Sequence, residues 1–156
     1  MKARRVLVLG LAVLLAGCGS AATAAPPAAT LDAASAQPIA GRYLAGALGV
    51  DAAYLRWKAA IQGKTRVSEI EGPAATYAAD LTKFDDSLAS FDATGQVGTD
   101  VAALIAADQV VIRDLNAVTA QTDGSLAGWA AKLSADGTTA IKAGSTVRTD
   151  IALPPN

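Results

Sequence analysis

The sequence predicts an all-α protein, an antiparallel up-down-up-down four-helix bundle that follows an N-terminal leader and a disordered tether. Four segments carry apolar residues at alternating steps of four and three. Clusters of turn-forming residues separate them, and the two-residue alternation of strands is nearly absent.

The chain opens with a leader in three parts. Lys2, Arg4 and Arg5 supply positive charge, Val6 to Leu15 form a short apolar run, and the small residues Ala16 and Gly17 precede Cys18. The run is too short to cross a bilayer as a stable helix, which takes ~20 residues. At Leu15-Ala16-Gly17-Cys18 the sequence resembles the lipobox of bacterial lipoproteins, a resemblance confined to the leader. It implies that residues 1–17 are a signal peptide removed before Cys18, and that Cys18 carries a diacylglyceryl thioether. Two acyl chains suffice for stable anchoring where one is marginal. The implied address is the outer face of the cytoplasmic membrane, or the outer membrane in a cell that has two. Residues 18–38 then read as the lipidated cysteine and a tether rich in Ala, Pro, Ser and Thr, including Pro26-Pro27.

Residues 39–153 read as the bundle, with helices at approximately 41–62, 69–92, 97–121 and 125–151. The first repeats Tyr43, Ala47, Val50, Tyr54, Trp57 and Ile61, with a second apolar row at Leu44, Leu48 and Leu55. The second runs from Ile70 through Ala74, Tyr77, Leu81, Phe84 and Leu88 to Phe91. Val97, Val101, Leu104, Val111, Leu115 and Val118 mark the third, flanked by Ile105 and Ile112. The fourth carries Leu126, Ala130, Leu133, Ala140, Val147 and Ile151, with Trp129 and Ile141 beside the stripe. Each stripe predicts one buried face. Turns are expected at Gly63–Arg66, Asp92–Gly95 and Thr122–Ser125, lengths that favour antiparallel neighbours. Ser68 and Glu71 have capping-box spacing, but Pro73 follows so soon that the second helix should start there or bend in its first turn.

Composition closes several chemistries. The net charge is −1, and loss of the leader's three cations leaves ten of the 13 basic side chains against 14 acidic ones. A mildly acidic domain carries no footprint for nucleic acid and no basic amphipathic face for anionic lipid. One cysteine cannot form an internal disulfide, so packing alone must stabilise the fold. The absence of histidine removes Ser-His and Cys-His pairs and the usual metal sets. Lys83 and Ser87, four apart on a polar face, read as solvated surface rather than a Ser-Lys dyad. Asp92, Thr94, Gln96 and Asp100 approach a calcium loop, but Val97 stands where Gly is needed and Ala103 where an acid is needed. That segment reads as a turn in which Thr99 caps a helix and Asp100 suits its dipole. Tyr43, Tyr54 and Tyr77 sit in heptad stripes as core residues rather than haem ligands. No catalytic residue, metal site or cofactor is expected.

Asp108 is the informative irregularity. At 100° per residue it falls about 20° from the centre of the third helix's apolar face, between Leu104 and Val111. A lone buried carboxylate costs several kcal/mol unless partnered. On the first helix Asp51 and Lys58 lie between the two apolar rows; antiparallel stacking puts Tyr54 near the height of Asp108, with Lys58 in reach. Gly137, Ala140 and Gly144 occupy that height on the fourth helix, where small residues permit close approach or leave a gap. Two readings stay open: a structural polar pair that sets helix register, or a small pocket lined by Tyr54, Lys58, Asp108 and Gly137. The expected product is therefore a membrane-anchored, noncatalytic interaction module of the cell envelope with a protein partner. The alternative is a small-molecule carrier or sensor that uses the bundle interior. An enclosed cavity at Asp108 would favour the carrier, an exposed apolar patch the partner.

Overall fold

A computed structural model describes residues 33–154. They form an antiparallel four-helix bundle of α1 (Ala33–Ile61), α2 (Val67–Ala89), α3 (Gly95–Asn116) and α4 (Leu126–Asp150), with a 3-10 turn, Ala117–Ala120, closing α3. Backbone packing runs between chain neighbours, α1 on α2, α2 on α3 and α3 on α4. No helix among the described residues is long and apolar enough to cross a membrane. The leader, Cys18 and the tether up to residue 32 lie outside the described residues.

The helix ends differ from the sequence expectation in instructive ways. The tether was expected to reach residue 38, yet α1 begins at Ala33 and runs through Pro38. Alanine-rich sequence favours the helix strongly enough to absorb the one backbone bond that proline cannot donate. At the other end Gly63, at φ +74°, turns the chain out of α1, a conformation a side chain would resist. α2 also starts early, at Val67, and continues through Pro73. Its first turn is held not by Ser68 and Glu71 but from outside. The Val67 N–H donates to the Asp123 carboxylate at 2.9 Å, so the α3–α4 turn caps α2. Thr99 is no cap either; its hydroxyl donates to the Gly95 carbonyl inside the first turn of α3.

Two apolar clusters fill the bundle. One gathers Ile70, Ala74, Ala78 and Leu81 of α2 with Val111, Leu115 and Val118, and with Leu126, Trp129, Leu133 and Ala140 of α4. The other gathers Ile39 and Tyr43 of α1, Phe84, Leu88 and Phe91, Val97, Val101 and Leu104, and Val147 and Ile151. Stripes on α2, α3 and α4 are buried as their spacing predicts. Four apolar positions are not: Ile141 is exposed, and so is the second row of α1, with Leu44, Leu48 and Leu55 at 37, 68 and 63% exposure. Those leucines lie roughly opposite the buried side of α1, so no neighbouring helix reaches them.

Candidate functional site

Between the two apolar clusters lies a polar layer. On α3 the seam falls between Leu104 and Val111, and on α2 between Leu81 and Phe84. Asp108 occupies the α3 seam and Asp85 follows Phe84 beside the α2 seam, 5% and 6% exposed. The two carboxyls are close enough for each to perturb the protonation of the other. Neither Asp85 oxygen finds a donor among the described residues. Two ionised carboxylates repel in such a place, and a proton shared between them relieves that repulsion. Burial, then the neighbouring negative charge, pushes Asp108 up to about 7. Burial likewise raises Asp85 to about 6, opposed by the hydrogen bond from Asp108.

Two phenols, Tyr43 and Tyr77, lie close enough to feel the Asp108 charge. Tyr43 crosses from α1 to donate its hydroxyl to the Gly144 carbonyl of α4 at 3.2 Å. Its ring meets Phe84 edge-on at 5.8 Å. An added Cβ at Gly144 would lie 3.3 Å from that hydroxyl, so the small residue makes room for the crossing. Further along α1, Trp57 stacks on Tyr77 at 5.5 Å, and Tyr54 packs against both rings at 6.1 Å. The Tyr54 hydroxyl and the Trp57 indole N–H are buried without a partner among the described residues. Burial raises all three phenols, and the negative charges of Asp108 and Asp51 add to the effect on Tyr43 and Tyr77.

The sequence expectation for this site is met in part. Asp108 is buried, whereas Tyr54 is half-buried and Asp51 is exposed. Lys58 is not its partner: it is exposed and forms no ion pair among the described residues. With the second leucine row of α1 turned outward, Lys58 turns outward with it. Gly137 is no liner either, since a Cβ there would meet nothing within 4 Å. The true neighbour, Asp85, was missed although the same arithmetic exposes it. It lies four residues beyond Leu81 and three before Leu88, inside the stripe of α2.

Other charged groups have evident structural work. The buried Asp114 accepts two bonds from Lys132, at 2.6 and 2.7 Å, and Lys132 also reaches Asp136 at 2.8 Å. The Asp114 backbone carbonyl takes the Trp129 indole N–H at 2.6 Å. Lys83 pairs with Asp80 at 3.0 Å, and Arg56 reaches the same carboxylate at 3.2 Å. Those contacts hold Asp80 below the usual carboxylate range, the Lys83 hydrogen bond most of all. A second acid pair, Asp100 with Asp150, joins α3 to α4; burial, then the bond to Asp100, pushes Asp150 up to about 6.

Surface clefts lie along two of the helix–helix seams of the described residues. One, of about 310 Å³ between α1 and α2, is lined by Gly46, Val50, Arg56, Lys83, Phe84 and Ser87 among others. The other, of about 180 Å³ between α2 and α3, is lined by Leu88, Phe91, Val101 and Ile105 among others. Neither includes Asp85 or Asp108. Among the described residues no group of three or more acidic or sulfur ligands converges on a metal position. Comparison with family models, curated proteins and solved structures finds no match to this chain.

Proposed function

We propose that this chain is a lipid-anchored, extracytoplasmic interaction module of the cell envelope. In this reading residues 1–17 direct export, Cys18 bears the lipid, and the bundle binds another protein without catalysis. The observation that carries it is the leucine row of α1. Leu44, Leu48 and Leu55 form an exposed apolar ridge on a helix whose opposite side already supplies the core. Scattered surface leucines need no explanation, but three on one helical line mark a contact surface. The carrier reading draws on the unpartnered Asp85, Tyr54 and Trp57 polar atoms; it is weaker because neither cleft reaches the acid pair.

The anchor is tested by intact mass of the chain recovered from a bacterial host. The expected species begins at Cys18 and carries a diacylglyceryl group, and a Cys18→Ser variant lacks it. An unmodified chain that fractionates as soluble would overturn the anchor. Cross-linking in membranes, compared between wild type and Leu48→Asp, tests the binding surface. Loss of cross-linked species in the variant supports it, and identical patterns refute it.

A further inference from the structure

We propose that the outward face of α1 is a self-association surface, on which a second copy of this chain docks with its α1 antiparallel. This rests on the reading of that face as the interaction surface and names its occupant. Leu44, Leu48 and Leu55 lie within about 40° of one another on the helix. Asp51 and Lys58 complete the line, so the positions 44, 48, 51, 55 and 58 advance by four, three, four and three. That is the repeat of a two-stranded helical seam, narrower than the face of a core-packed helix.

Charge selects the partner and its direction. The two polar positions in the seam carry opposite signs, one heptad apart, and neither forms an ion pair within the chain among the described residues. A two-fold axis passing between Tyr54 and Leu55 sets Asp51 level with Lys58 of the second copy, and the symmetry makes that contact twice. It also places Leu55 beside its counterpart at the centre, while the methylene stem of Lys58 lies along the far end of the ridge, near Leu48 of the second copy. A parallel pair in register would set Asp51 on Asp51 and Lys58 on Lys58, which repels. Lipid is a poorer occupant, because Asp51 stands in the middle of the ridge and the face carries no excess of cations. A seam this short makes a weak dimer in solution, and confinement to one membrane would raise the local concentration that drives it.

The test is sedimentation equilibrium of the mature chain in detergent, over a range of dilutions. A reversible dimer is expected. Asp51→Lys and Lys58→Asp should each weaken it roughly tenfold, the combined exchange should restore it, and Leu48→Asp should abolish it. Unchanged circular dichroism in each variant certifies the fold, since all three positions used are exposed. A monomer at every concentration overturns the proposal, as does a dimer indifferent to charge reversal or not rescued by the double exchange. Flotation of the Cys18→Ser chain with phosphatidylcholine–phosphatidylglycerol vesicles, if it depends on Leu48, assigns the ridge to lipid and also overturns it. A monomer that still loses membrane cross-links on Leu48→Asp overturns self-association alone, and the interaction reading survives.

Discussion

Replacing Asp108 by Asn should abolish most of the pH dependence of folding stability. Asp108 rises from 3.8 to about 7 in the fold and Asp85 from 3.8 to about 6. A carboxyl whose folded value is raised binds its proton more tightly in the fold than in the unfolded chain. Its contribution is therefore present at low pH and is lost as pH rises through the folded value. Integrated from about pH 8 down to about pH 5, the two groups together add about 4 kcal/mol, Asp108 supplying about two thirds. The wild-type chain should thus grow more stable over that window, against the usual trend for carboxylates held in ion pairs. Asn keeps the shape and donates an amide hydrogen to Asp85, which no longer needs a proton to be partnered. Urea denaturation at a series of pH values reads the result. The variant should be the more stable at about pH 8 and should show at least a halved slope, with Asp100–Asp150 supplying the remainder. A flat wild-type profile, or an unchanged slope in Asp108→Asn, would refute the shared proton.

Two further substitutions separate core from ridge. Leu115→Asp puts a charge at a fully buried position and should cost roughly 4 kcal/mol or more, whereas Leu48→Asp should stay within about 0.5 kcal/mol; equal melting of the two by circular dichroism would reverse the assigned faces. Asp123→Ala removes the acceptor of the Val67 N–H and should cost about 1 kcal/mol, with amide exchange quickening in the first turn of α2. Unchanged exchange there would show that Asp123 does not cap the helix.

The polar layer explains why the bundle holds one register. An acid pair between two apolar clusters is costly wherever it loses its partner, so a slip that parts Asp85 from Asp108 is penalised, while an apolar seam would tolerate it. Tyr43 adds a bond between α1 and α4, the first and last helices of the bundle. The reading that Asp108 serves structure gains its support here, from a neighbour of the same charge rather than from Lys58.

The sequence by itself determined the four helices and most of the core, because helical periodicity is a local property and a stripe buries itself against any apolar partner. Leu81, Leu104, Leu115 and Val147 are buried as their spacing requires. It also marked Asp108, since a charge inside a stripe is visible without knowing what faces it. Only the tertiary structure decided what does face it. The sequence puts Lys58 within plausible reach of Asp108, and whether it faces that carboxyl depended on how α1 is rotated about its own axis. α1 has two apolar rows, and periodicity cannot say which of them turns inward when both are hydrophobic. Packing chose Tyr43, Val50, Ala53 and Trp57, whose rings and small neighbours fit against Phe84 and Tyr77, and left Leu44, Leu48 and Leu55 outside. That single rotation carried Lys58 away from the acid pair and made the leucine ridge a surface.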